Sequence, residues 1–250
     1  MDFPDHFSGV SSAYAHYRPR YPRELYVFLQ SLTRRHDLAW DCATGTGQAA
    51  VPLAEFFRHV IATDASAEQI ARAQPHPRIQ YVVSPAERTD LASESVDLIT
   101  VAQALHWFDL ETFFAEADRV LTAEGVLACW TYALFEVDNP AVQEAVDVFY
   151  ADVVGPYWPA ERRMVEDGYR STPFPFDEIP APEFEIRSTL SVEELEGFLR
   201  TWSATQRYIR DRGNDPVAGL ELGRNATAAF DVRWPIALRI GRRRPKDRSL

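Results

Sequence analysis

The chain of 250 residues carries 26 Lys and Arg against 37 Asp and Glu, a formal net charge of −11, with 46% hydrophobic and 25% charged residues. That length and balance describe one soluble α/β domain with room for a large core, and a field of that sign repels phosphate backbones, which argues against a nucleic-acid substrate. No segment approaches the roughly 20 apolar residues that a bilayer crossing needs, so no membrane partner is expected.

In chain order, Met1 to His6 is acidic and lacks the basic stretch and apolar core of a signal peptide, and a cytoplasmic protein is expected. Pro22 opens a helix with an apolar stripe of Leu25, Phe28, Leu29 and Leu32. Leu38-Ala39-Trp40 is a short strand that turns at Gly45-Thr46-Gly47 into a helix over residues 49–57. Val60 to Thr63 is a second strand, ending at Asp64, and Ser66-x-x-Gln69 is a helix-capping pattern. Leu110, Phe113, Phe114, Ala117 and Leu121 form another helical stripe, and Val126 to Trp130 another buried strand. Beyond Tyr132, Asn139-Pro140 caps a helix, and a proline-rich stretch over residues 155–182 reads as a cap inserted into the sheet. Ser191-x-x-Glu194 starts a further helix, and Val232 to Ile240 alternates as a closing strand in which Pro235 is awkward. Cys42 and Cys129 fall in strands as small core residues, and no metal site is expected. The basic tail from Arg242 to Arg248 has no aromatic side chain for base stacking and is read as a solvated end.

The glycine loop and Asp64 carry the chemistry. Glycines at 45 and 47 allow positive φ and close backbone approach, and a carboxylate at the end of the second strand can accept hydrogen bonds from both hydroxyls of a ribose. Gly45-x-Gly47-x-x-Ala50 also satisfies a dinucleotide fingerprint, which leaves a nicotinamide-dependent oxidoreductase as an alternative. Asp41 weighs against it, because a carboxylate before the loop repels a pyrophosphate but suits an ammonium group. S-adenosylmethionine has a ribose, an ammonium and no phosphate.

At this point the sequence resembles the class I S-adenosylmethionine-dependent methyltransferases. Ser84-Pro85-Ala86-Glu87 matches the loop that faces adenine in that family, and Ser95 to Gln103 matches its fourth strand. Gln103-Ala104-Leu105-His106-Trp107-Phe108-Asp109, Tyr14-x-x-Tyr17-Arg18-Pro19-x-Tyr21-Pro22 and Glu116 to Leu121 resemble the small-molecule subgroup that includes trans-aconitate methyltransferase. Ala43 stands where many relatives have glycine. The resemblance implies a doubly wound, Rossmann-like, seven-stranded sheet with a helical, proline-rich cap. It divides the single domain into an N-terminal flap and helix (1–36), a cofactor-binding core (37–135), the cap (136–182) and C-terminal helices and strands (183–250). It also implies S-adenosyl-L-methionine as cofactor, held by Asp41, Ala43, Gly45, Gly47, Asp64, Ala86, Glu87 and Gln103.

The acceptor is expected to be a small molecule lined by Tyr14, Tyr17, Arg18, His106, Trp107 and Trp130. A carboxylate acceptor, already ionised at neutral pH, leads; a phenol, alcohol or amine would need a base, for which His106 is the candidate. A protein that binds the cofactor without catalysis is the non-enzyme alternative.

Overall fold

The computed structural model describes residues 19–220, 222 and 229–244. Helix α1 (Arg23–Ser31) begins behind Pro22, whose φ of −66° suits a helix entrance, and its stripe buries Leu25, Tyr26 and Leu29. The chain then alternates through β1 (Leu38–Cys42), α2 (Ala50–Phe56), β2 (His59–Asp64), α3 (Ala67–Ala71), β3 (Ile79–Val83), β4 (Val96–Ala102), α4 (Leu110–Val120) and β5 (Leu121–Thr131). These five strands lie in the order β3-β2-β1-β4-β5, all parallel. The order reverses between β1 and β4, which opens a crevice at their carboxyl ends, where doubly wound sheets hold ligands.

The period of two sends alternate side chains to opposite faces. Ala39, Leu98, Val126, Ala128 and Trp130 join one apolar cluster with residues of α1 and α2. Trp40, Ile99, Val101, Leu127 and Cys129 join a second with residues of α4. Strands covered by helices on both faces must be apolar on both sides, which is why they read as continuous hydrophobic runs.

Where seven strands were expected, the described residues form nine. The closing strand β9 (Ala229–Arg242) is 14 residues long and pairs antiparallel with β5 over one half and with β8 (Phe184–Ser191) over the other. One edge of each half would otherwise stay open. The two-residue strands β6 (Glu136–Val137) and β7 (Asp177–Glu178) add to it at Val232–Arg233 and Gly241–Arg242. Between the residues that pair with β6 and with β5, Trp234, Pro235 and Ile236 have β8 as their only ladder partner among the described residues, and a residue without an N–H fits such a place.

The segment over 136–182 was expected as a proline-rich cap inserted into the sheet, and it contributes two strands of its own to that sheet. It contains α5 (Pro140–Val148), capped by the Asn139 side chain, a π-helical turn (Phe149–Val153), a 3-10 turn (Gly155–Tyr157) and the short helix α6 (Arg162–Glu166). Through β6 and β7 it is woven into the sheet at both ends. Helix α7 (Val192–Arg200) starts with the full capping box of Ser191 and Glu194, and α8 (Ser203–Arg212) stops at Gly213 with φ 74°. No helix among the described residues is long and apolar enough to cross a membrane.

Candidate active site

β1 delivers Asp41 to the crevice fully buried, and its carboxylate survives there on hydrogen bonds. Thr100 Oγ1 donates to Oδ1 at 2.7 Å and Thr44 Oγ1 to Oδ2 at 2.5 Å. Burial still dominates and pushes the carboxyl up to about 6, with the nearby charge of Asp64 adding to the rise. A carboxylate held in this way is poised to be relieved by a cation.

The loop after β1 runs left-handed at three positions, Ala43 (φ 55°), Gly45 (57°) and Gly47 (91°). Gly45 faces the open cavity, where a Cβ would meet no protein atom within 4 Å. Its N–H donates to Asp64 Oδ2 at 2.8 Å, and the Ser66 N–H donates to Oδ1 at 2.8 Å. Asp64 thereby locks the loop to the β2–α3 turn and also lines the cavity. Gly47 sits differently from the expectation of close approach to a ligand. It is not among the cavity-lining residues, and a Cβ would stand 2.4 Å from the Tyr81 hydroxyl, so its role is in the turn and in packing on β3. Ala43 lines the cavity in a conformation that costs a side chain about 1–2 kcal/mol.

At the end of β4, Gln103 is also left-handed (φ 57°). It is pinned by its own backbone N–H to Trp130 O at 2.9 Å, by Nε2 to Tyr132 O at 3.0 Å, and by the Thr131 hydroxyl donating to Oε1 at 2.5 Å. A strained residue held by that many bonds on a cavity wall is the usual mark of a functional position. Ala86 and Glu87, from the loop after β3, complete the wall, and Glu87 Oε1 accepts from the Asp109 N–H at 3.1 Å. Asp41, Ala43, Gly45, Asp64, Ala86, Glu87, Gln103 and Trp107 thus share one cavity.

His106 stands behind Trp107, ring centroids 4.7 Å apart, and is not among the cavity-lining residues. Its Nδ1 is 3.1 Å from the Tyr169 hydroxyl. Burial, and then the positive charge of Arg162, pull its pKa down to about 3. The imidazole is therefore neutral throughout the physiological range, and its conjugate acid is too strong to hold an abstracted proton. His106 was expected to line the acceptor site; it stands off the cavity wall, behind Trp107. Trp130 is corrected as well: it is fully buried, edge-on to Tyr21 at 5.4 Å and Tyr26 at 6.5 Å, on the face of the sheet turned to α1. Tyr14, Tyr17 and Arg18 lie outside the described residues. The neighbouring Pro19 carbonyl accepts from Gln48 Nε2 at 2.6 Å, and Tyr21 reaches the cavity wall.

Several residues of the site carried no signal of their own. Thr44 and Thr100 hold Asp41; Tyr132 lines the cavity; Tyr169 arrives from a distant turn, with φ 63° and its carbonyl gripped by Arg239 Nη1 at 2.7 Å. Tyr21 belonged to the N-terminal aromatic motif and could have been found there.

The donor set tests which ligand fits. Among the described residues the cavity is lined by three carboxylates, Asp41, Asp64 and Glu87, and by no Lys or Arg. A pyrophosphate would be repelled, whereas an ammonium and ribose hydroxyls would be satisfied. Among the described residues no group of three His, Cys, Asp or Glu side chains could hold a metal ion.

A family model for a methyltransferase domain matches residues 40–129. A Dictyostelium discoideum protein named as a methyltransferase is 36% identical, the alignment covering 85% of this chain and 82% of the relative. A Saccharomyces cerevisiae protein named as an S-adenosylmethionine-dependent methyltransferase is 26% identical, with 82% and 83% covered. A solved structure from Anaeromyxobacter dehalogenans, named as a type II methyltransferase, superposes with a TM-score of 0.84 at 43% identity, covering 92% of this chain and 99% of that one.

Proposed function

Because the chain belongs to the class I S-adenosylmethionine-dependent methyltransferases, we propose that it methylates a small-molecule acceptor, and that the methylated group is a carboxylate. Membership sets aside the oxidoreductase and non-catalytic readings. The observation that carries the cofactor site is the cavity of three carboxylates and no described cation. A carboxylate acceptor is favoured because His106 is not among the cavity-lining residues and its Nδ1 faces the Tyr169 hydroxyl, and an acceptor that is already ionised needs no base. The resemblance of residues 103–109 to the trans-aconitate methyltransferase subgroup points the same way.

In this reading Asp64, which holds the Gly45 loop, would accept from the ribose hydroxyls, and Asp41 would meet the methionine ammonium. Ala86 and Glu87 would flank the adenine, and Ala43, Gly45 and Gln103 would bring backbone close to the ligand. When bound, the cofactor would supply an electrophilic sulfonium methyl, which an acceptor oxygen that is already ionised could take without a base. The protein's work is positioning and exclusion of water. Trp107 would wall the acceptor side, with His106 supporting it from behind through its bond to Tyr169. Cys42 and Cys129 are free and buried, with thiols pushed up by burial, which suits a cytosolic protein.

The test is to incubate the protein with methyl-labelled cofactor and a small-metabolite extract. Label in a low-mass product that mild alkali releases as volatile methanol is the expected result. Label that stays alkali-stable would refute the carboxylate assignment, and no transfer to any small molecule would refute the acceptor class.

A further inference from the structure

Arg162 opens α6, the helix that packs against the Leu105–Trp107 turn behind the cavity wall. Its guanidinium is braced on aromatic rings, Cζ lying 4.5 Å from the Trp158 ring centre and 5.3 Å from that of Tyr150. Nε donates to the Tyr150 hydroxyl at 2.9 Å, and only 18% of the side chain is exposed. The acidic neighbour, Glu166, is already engaged: it accepts from the Tyr150 hydroxyl, and its carboxylate stands 3.8 Å from Arg162 Nε, beyond hydrogen-bond range. No hydrogen bond joins either terminal nitrogen of Arg162 to a described residue. A largely buried cation with a fork of unused donors is built for a planar oxyanion.

Two connections tie the helix that carries Arg162 to the turn of His106 and Trp107. The Tyr169 N–H donates to Met164 O of the same helix at 2.8 Å, and the Tyr169 hydroxyl meets His106 Nδ1 at 3.1 Å, so α6, Tyr169 and His106 are one hydrogen-bonded unit. The charge of Arg162 is also felt at His106, where it helps to hold the ring neutral. Among the described residues the cavity wall holds no Lys or Arg, so a protein cation for an acidic acceptor has to come from outside that wall.

We propose that Arg162, braced on Trp158 and Tyr150, binds a carboxylate of the methyl acceptor and makes the enzyme selective for small carboxylic acids. This rests on the carboxylate reading given above. A lysine would supply the charge but neither the stacking nor the bidentate geometry.

The test uses Arg162→Gln and Arg162→Lys in the full chain, with methyl-labelled cofactor and a panel of small di- and tricarboxylic acids, each beside its neutral amide. For acids that the wild type methylates, Arg162→Gln should raise KM on the order of tenfold, the weight of a lost charge-assisted pair. Arg162→Lys should recover part of it. S-adenosylhomocysteine affinity by calorimetry and binding of the neutral amides should stay unchanged. Tyr150→Phe, which removes the hydroxyl bracing Nε, should raise KM for the acids in the same sense and serves if Arg162→Gln fails to fold. A wild-type KM in Arg162→Gln, or equal losses for acids and amides, overturns the assignment of Arg162 while leaving the carboxylate reading in place. A wild-type enzyme that methylates none of the acids but does methylate neutral phenols or amines overturns both.

Discussion

Asp41 makes the affinity for the cofactor product pH-dependent in a direction and by an amount that its burial fixes. In the free protein its carboxyl is pushed up to about 6 from the ordinary 3.8. An ammonium docked beside it binds the ionised form, so protons compete with the ligand and affinity falls as pH drops through 6. At pH 7 roughly nine in ten Asp41 side chains are ionised and at pH 5 roughly one in ten, so S-adenosylhomocysteine should bind about tenfold more weakly at pH 5, about 1.4 kcal/mol. Folding has the opposite sign. An Asp whose folded pKa is raised lowers stability as pH climbs from 3.8 through about 6, so Asp41→Asn should relieve that penalty in the ligand-free protein at pH 7. The assay is calorimetric titration with S-adenosylhomocysteine at several pH values between 5 and 8, with folding checked at each by circular dichroism. Asp41→Asn should bind more weakly at pH 7 and lose the slope. A wild-type affinity that is flat from pH 7 to pH 5, or an Asn variant that keeps the slope, would show that Asp41 faces no cation on the ligand.

Asp64→Ala should lose about 1.5–3 kcal/mol of S-adenosylhomocysteine affinity, the scale of hydrogen bonds to a charged group; an unchanged affinity in a folded variant would remove Asp64 from the ribose. Ala43→Gly should raise stability by up to about 1 kcal/mol in urea unfolding, since relief of the left-handed side chain outweighs the extra entropy of the unfolded glycine; destabilisation would mean that the Ala43 methyl is packed usefully. Because His106 is neutral down to about 3, kcat should show no break between pH 6 and 8 that His106→Gln removes. Such a break would restore the imidazole as a base. His106→Ala should impair methyl transfer more than S-adenosylhomocysteine binding, as read by paired kinetics and calorimetry.

The parts of the site visible in the sequence are those written locally. Asp41, the glycine loop and Asp64 are adjacent to apolar strands whose period announces them, and the turn chemistry of Gly45 marks the crevice in front of it. The two-residue strands β6 and β7 are too short for any pattern and exist only because β9 offers open edges. Trp130 shows the limit of placing residues by strand ends: its period along β5 puts it on the face with Val126 and Ala128, against α1, and not in the crevice. Tyr169 and Arg162 reach the back of the cavity wall from a segment some sixty residues downstream of His106. No local spacing records that meeting, because it is made by how residues 136–182 thread through the sheet. Gly47 was legible as a turn glycine; that its neighbour is Tyr81 and not a ligand was not.

The most direct measurement of the account is a crystal structure of the protein with S-adenosylhomocysteine. The ribose hydroxyls should lie on the Asp64 carboxylate, the ammonium toward Asp41, the adenine beside Ala86 and Glu87, and the sulfur toward the Trp107 side. A ligand seated outside the crevice between β1 and β4, or one that leaves both Asp41 and Asp64 without contact, would contradict it.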